Sequence, residues 1–257
     1  MKCLGALIGD CVGSIYEFNN CKSKNFSFLP TEYFLTDDSF MTLAVMDYFV
    51  SKTRPVSFYL RKWGRKYPSA GYGTRFYNWI FDDKIGAYNS FGNGSAMRIS
   101  PVGWIANSEN EVIELSTRIS EVTHNHPDGI KGAQVTAMCI YFARFGKSKA
   151  FIKEYAKSFY DLNFSYKDLI DKYSFNETCQ GSVPQAIFCF LISKDFEDCL
   201  RTAISIGGDS DTIAAIACSI AEAYYKKIPT FLLDLIMGKL NNEQKILLSK
   251  FQKIIGD

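Results

Sequence analysis

The sequence predicts a single all-α domain. Apolar residues recur at helical spacing in run after run, and the runs are closed by glycine, proline, serine or asparagine. Strand-like alternation is scarce. No internal repeat, linker or low-complexity segment divides the 257 residues, although length alone would allow one large domain or two small ones.

Residues 2–18 read as a first helix with Gly5, Gly9 and Gly13 on one face. Glycine weakens a helix, so three in register predict that another backbone approaches closely there. Asp10 and Glu17 lie about two turns apart on the same segment, roughly on one side. Either could be a solvated charge, and Glu17, which enters an aromatic, Asn-bearing loop, is the better functional candidate. Residues 19–35 lack a helical period, with a short strand expected around Phe26-Ser27-Phe28.

Helices follow over 39–51 and over 55–67, where Pro55 suits a helix start. After the turn Gly71-Tyr72-Gly73 a short helix runs to Ile80. Residues 82–101 read as a long polar, glycine-bearing connection, a kind of loop that is usually functional or mobile. Ser108 and Glu111 form a capping box for a helix over 109–122. Past Thr123-His124-Asn125-His126-Pro127 comes a helix over about 128–145, stopped by Gly146. Further helices are expected at 148–160, 166–173, 183–193, 196–206 (capped by Asp195), 212–226, 230–239 and 243–255.

Composition excludes several classes. A net charge of +2 from 29 basic and 27 acidic residues gives no sign of nucleic-acid binding. The eight cysteines are scattered, several fall in apolar helical runs and no CxxC pair occurs, so buried reduced thiols in a cytoplasmic protein are expected. Asp10 interrupts the apolar stretch after Met1-Lys2 too early for a signal peptide. No stretch approaches the ~18 apolar residues of a membrane-spanning helix.

Two acidic stretches stand out: Thr36-Asp37-Asp38-Ser39 and Gly207-Gly208-Asp209-Ser210-Asp211-Thr212. Each heads a helical run, where one side-chain oxygen would suffice to cap. Each supplies three. Four carboxylates brought together would repel one another and resist ionisation unless a cation sat between them. Mg²⁺, Ca²⁺ and Mn²⁺ prefer such oxygen donors. The residues fit two halves of one metal site, and equally two separately capped helices. The Asn89–Ala96 stretch follows no strand and so is not a dinucleotide fingerprint, yet its amides could cradle a diphosphate and Phe91 could stack on a base. A plain turn-rich loop is the simpler account. His124 and His126 lack a third metal ligand, and their shared loop suggests a place near a site.

Five blocks occur in order. They are Gly5 to Asp10 with Gly13 and Glu17, Thr36 to Ser39, Gly92-Asn93-Gly94-Ser95-Ala96-Met97-Arg98, Thr123-His124, and Gly207 to Thr212. Together they resemble the ADP-ribosylglycohydrolase family. The resemblance implies a single compact, orthogonal all-α domain with a binuclear Mg²⁺ (sometimes Mn²⁺) centre. Its metal ligands would be Thr36, Asp37, Asp38, Asp209, Asp211 and Thr212. Glu17 would stand beside the metals on the flap after the first helix, with Asp10 as a nearby acid. Gly71, Gly73, Ser90, Phe91, Gly92, Asn93 and His124 would hold ADP-ribose, Phe91 lying against the adenine. Ser39, where threonine is usual, and Ser210, between the paired aspartates, depart from the pattern but keep a hydroxyl.

The implied reaction is removal of ADP-ribose from modified proteins by a chain that acts as a monomer. Carboxylate-held metal pairs also serve phosphoesterases, but the basic patch of a nuclease is missing. A non-catalytic, ADP-ribose-binding or structural member of the fold is the other alternative, which an eroded metal site would have favoured.

Overall fold

The computed structural model describes residues 1–28 and 32–256. Among the described residues it contains helices and no strand, with one isolated antiparallel bridge between Gly92 and Thr178. In chain order the helices are α1 (Gly5–Gly13, continued by a 3₁₀ turn over Ser14–Tyr16), α2 (Asp37–Ser51), α3 (Val56–Lys66), α4 (Thr74–Phe81) and α5 (Gly94–Met97). Then come α6 (Ser100–Ile105), α7 (Glu109–Ser120), α8 (Pro127–Arg144), α9 (Lys149–Lys157) and α10 (Tyr166–Lys172). The chain ends with α11 (Cys179–Ile192), α12 (Phe196–Ser205), α13 (Ser210–Tyr225), α14 (Thr230–Lys239) and α15 (Asn242–Ile255).

The fold is arranged around α13. Its sequence is mostly Ala, Ile, Ser and Cys, with Thr212 near its start, two tyrosines at its end and charges only at Asp211 and Glu222, so it has no polar face to offer water, and such a helix must be central. Every residue from Ser210 to Ala223 is buried. Around it pack α1, α8, α11 and α12. The α1 contact is the backbone approach that the glycine stripe predicts. A Cβ on Gly5, Gly9 or Gly13 would fall 2.3–2.5 Å from main-chain atoms of Cys218, Ala214 or Asp211. Because α1 also packs on α2, the starts of α2 and α13 are drawn together. The buried Glu222 carboxylate accepts the Leu4 and Gly5 amides at 2.9 and 2.7 Å, capping α1 from another helix.

Several boundaries differ from the sequence reading, each for a local reason. The first helix begins at Gly5, because Cys3 adopts a left-handed φ of 62°. Helix α11 begins four residues early at Cys179, capped by Thr178, and tolerates Pro184 inside it. The proline forgoes only the one bond its amide would have made. Glu111 reaches back to the Asn107 amide rather than that of Ser108, so half of the expected capping box forms. The complete box is on α15, between Asn241 and Gln244.

The connection 82–101 is not all loop. It winds into α5, whose Ala96 and Met97 amides return to the Asn93 carbonyl, and opens α6 at Ser100-Pro101. No strand forms at Phe26-Ser27-Phe28. Arg201 takes the carbonyls of Lys24 and Phe26 and lies over the Phe26 and Phe28 rings. Residues 29–31 of that expected loop lie outside the described residues. All eight cysteines are free. No helix among the described residues is long and apolar enough to cross a membrane.

Candidate active site

A cleft of about 530 Å³ opens where the starts of α2, α4, α5 and α13 meet the loop after α1. Its lining divides by charge. Glu17, Asp37, Asp38, Asp209 and Asp211 supply carboxylates, while Arg75, Arg98 and His124 supply donors. A larger cavity of about 1060 Å³ lies elsewhere, beside Lys52, Arg54, Arg118 and Arg144, with only Glu111 and Glu121 as carboxylates in its lining.

The two acidic stretches, some 170 residues apart in sequence, meet. Thr212 Oγ1 donates to Asp38 Oδ2 at 3.1 Å. Carboxylate oxygens of Glu17, Asp209 and Asp211 come within 4.8 Å of one another, a cluster that could hold a metal ion. Asn93 Nδ2 donates to Asp209 Oδ2 at 2.6 Å and to Ser182 at 2.9 Å, fixing Asp209 from α11. Burial, then repulsion from neighbouring carboxylates, raises Asp37, Asp38 and Asp211 well above the ordinary range. Glu17 is raised to about 7 by burial, then by the charges of Asp209 and Asp10.

Does this donor set fit a cation? Asp38 Oδ1 is buried and has no hydrogen-bond partner, although buried carboxylate oxygens are normally satisfied. Six carboxylates, Glu177 among them, share the cleft with few donors between them. Hard-oxygen chemistry of this kind suits a divalent ion, and the residues present fit one.

Asp10, expected as an acid near Glu17, is close enough for its charge to act on Glu17 but does not line the cleft. It is fully buried and accepts Thr36 Oγ1 at 2.6 Å, the Thr36 amide at 3.1 Å and the Ser39 amide at 3.0 Å. By taking the Thr36 hydroxyl proton, Asp10 leaves Thr36 Oγ1 as an acceptor. One lone pair meets the Asp38 amide at 3.3 Å, and the other is free.

The residues expected to hold a ligand are partly brought together. Gly71, Gly73, Gly92, Asn93 and His124 line the cleft. Gly71, at φ +97°, lies against Asp37, and no atom stands within 4 Å of where a Gly73 Cβ would be. Ser90 instead supports the loop, its Oγ accepting the Gly92 amide at 3.1 Å. Phe91 does not line the cleft; it is half exposed, with its ring edge-on to His126 at 5.3 Å. His126 itself caps α8, accepting the Asp128 amide. The aromatic lining comes from Tyr72, Phe76 and Tyr88, and from Phe18 and Phe175 at the mouth.

His124 is nearly buried, and burial followed by Arg98 and Arg75 holds it well below the usual histidine range, hence neutral. Arg98 donates to Thr123 Oγ1 at 2.9 Å, and Thr123 Oγ1 lies 2.7 Å from His124 Nδ1. With one lone pair taken by Arg98, the Thr123 hydroxyl either gives its proton to Nδ1 or accepts one from it, according to the tautomer. In the first case the imidazole proton sits on Nε2, the atom facing Gly92 and Gly94. Arg98 belonged to a quoted block but received no role from sequence; its full burial is invisible there. Tyr88, Arg75 and Glu177 also went unread, for they stand in loops or at a helix start without a pattern.

An all-helical chain that gathers two acidic helix starts beneath one cleft, with a glycine-bare rim beside a neutral histidine, defines a class of metal-competent pocket for an oxygen-rich ligand. The comparisons make that class specific. A family model described as ADP-ribosylglycohydrolase matches residues 2–252, and the chain belongs to that family. It is 27% identical to "ADP-ribosylhydrolase ARH3" of Homo sapiens, covering 86% of this chain and 83% of that protein. The protein of the same name from Mus musculus matches at 27%, covering 86% and 82%. A solved structure titled "ADP-ribosylglycohydrolase-related protein complex" superposes with a TM-score of 0.74 at 21% identity, over 98% of this chain and 96% of that one. At that identity the likeness speaks for the fold.

Proposed function

We propose that this chain removes ADP-ribose from modified protein side chains by divalent-metal-dependent hydrolysis at the anomeric carbon of the distal ribose. The observation that best supports this reading is the convergence of Asp38 with Thr212 and of Asp209 and Asp211 with Glu17 beneath one cleft. Thr36, Asp37, Asp38, Asp209, Asp211 and Thr212 would hold two Mg²⁺ ions, or Mn²⁺. When bound, the ions supply charge neutralisation and a template for the ribose 2- and 3-hydroxyls.

The remaining work falls to side chains. Glu17 takes a proton from the attacking water, whose oxygen forms the new bond to the anomeric carbon as the bond to the protein side chain breaks, and that proton passes on to the departing side-chain atom. Positive charge develops on the sugar as that bond opens. Asn93 orients Asp209, and Asp10 orients Thr36. His124 presents Nε2, and the bare backbone at Gly71 and Gly73 lets amides approach the diphosphate. The reading takes residues 1–257 as one such domain, acting as a cytoplasmic monomer.

The test is release of free ADP-ribose from serine-, arginine-, acetyl- and nucleic-acid-linked substrates, with and without Mg²⁺. Turnover should vanish on chelation and in the Asp37→Ala/Asp209→Ala double variant. Unchanged turnover in either case would refute the metal role. Release of phosphate or a nucleotide instead would identify a two-metal phosphoesterase.

A further inference from the structure

The segment after Glu17 is fastened by two side chains that the reaction itself does not use. Asn20 donates from Nδ2 to the carbonyls of Tyr16 at 2.7 Å, Glu17 at 2.9 Å and Gly208 at 3.0 Å. Its Oδ1 accepts the Gly208 amide at 2.8 Å. Lys22 Nζ donates to the Tyr173 carbonyl at 2.7 Å and the Ile206 carbonyl at 2.5 Å. Both therefore grip the turn that leads into Asp209, and Lys22 also grips the loop that carries Phe175 and Glu177.

The turn is shaped to receive them. Gly207 and Gly208 have φ of +70° and +76°, a left-handed pair that side chains other than glycine rarely adopt. A Cβ on Gly207 would lie 2.7 Å from Asn20 Oδ1 and 2.8 Å from Lys22 Nζ, and one on Gly208 would lie 2.3 Å from the Tyr173 ring. Phe18, 85% exposed, stacks on Phe175 with centroids 6.1 Å apart and planes at 22°. The Glu17 segment, the Gly207-Gly208 turn and the 173–177 loop are thus tied pairwise at the mouth of the cleft.

We propose that Asn20 and Lys22 are positioning residues, a latch that holds the Glu17 backbone against the Gly207-Gly208 turn. The latch thereby sets the separation of the Glu17 carboxylate from Asp209 and Asp211. The inference rests on Glu17 acting as the base in the reaction proposed above. Each bond competes with water and is individually weak, so the group of six works only as a set. Displacing a reacting group by about 1 Å can cost on the order of a hundredfold in rate.

The test uses the full chain with Mg²⁺ and the variants Asn20→Asp, Lys22→Met and Lys22→Arg. Asn20→Asp keeps the size and the bond from the Gly208 amide but turns an oxygen toward three carbonyls. Lys22→Met keeps the stem and removes the donor. For Asn20→Asp, kcat for ADP-ribose release should fall about ten- to a hundredfold, with KM changed by less than about twofold. Amide exchange over residues 16–22 and at Gly208 should accelerate about tenfold or more, at unchanged melting temperature. Lys22→Met should move both readouts the same way, and Lys22→Arg should restore them.

Unchanged kcat and exchange in Asn20→Asp would overturn the latch, as would faster exchange with unchanged kcat. A wild-type chain that releases no ADP-ribose would overturn the reaction proposed above instead. The exchange data alone would then decide whether the latch exists.

Discussion

Gly9→Ala is the sharpest test of how the fold delivers the site. A Cβ at Gly9 would lie 2.3 Å from both the carbonyl carbon and the oxygen of Ala214, and 2.5 Å from the Ala215 amide nitrogen. All three are main-chain atoms of α13 and cannot rotate aside. Against the 3.4 Å at which ordinary contact begins, the shortfall is about 1 Å, so α1 must back away from α13 by roughly that much. Overpacking of this kind costs about 1–3 kcal/mol, and here the blocking atoms are rigid, which favours the upper end. The better helix propensity of alanine offsets about 1 kcal/mol. A net loss of about 2 kcal/mol should lower the melting temperature by roughly 4–8 °C in a chain of this size.

The control is Gly238→Ala in α14, where nothing lies within 4 Å of the added methyl. It should stabilise by about 0.5–1 kcal/mol. Differential scanning calorimetry on both variants reads the difference. If Gly9→Ala melted at or above Gly238→Ala, the close α1–α13 approach would not exist, and the account of how the acidic stretches meet would fall with it.

Three further outcomes are expected. Asp10→Asn keeps one oxygen for the Thr36 hydroxyl but sets an NH₂ against the Thr36 and Ser39 amides that Asp10 Oδ2 accepts, so it should loosen Thr36 and weaken Mg²⁺ binding measured by calorimetric titration about 10–100-fold; unaltered affinity would assign Asp10 a purely structural part. Burial raises Glu222 to about 7 from 4.5, so its contribution to stability is fully present below pH 4.5 and is lost as pH rises through 7. Relative to Glu222→Gln, the wild type should lose about 3 kcal/mol between pH 4.5 and 8 in urea titrations, and parallel pH curves would contradict the burial cost. Thr123→Val breaks the Arg98–Thr123–His124 chain and leaves His124 Nδ1 without its partner. ADP-ribose affinity should drop about tenfold, while an unaffected dissociation constant would deny His124 its part in binding.

Much of this was readable from the amino acids because it rests on local chemistry. The acidic helix starts, the glycine stripe and most helix ends are set by residues a few positions apart, and the structure has them where spacing puts them. The departures come from partners distant in sequence. Asp10 has the composition of a catalytic acid, and only the packing of α1 against α2 turns it to Thr36. Phe91 has the right ring in the right loop, yet it lies edge-on to His126, and nothing local in Ser90-Phe91-Gly92 fixes that direction. Arg201 replaces a strand partner for the Phe26 segment from 175 residues away. Asn20 looks like any loop asparagine until Gly208 lies beside it.

The burial of α13 on every side has one more consequence. The same helix is the keel of the molecule and the mount for Asp211 and Thr212, so local fraying cannot release these two oxygen donors while the rest stays intact. Ion occupancy should therefore disappear in step with the whole chain's cooperative melting, and a luminescent lanthanide seated there would serve as a gauge of global unfolding.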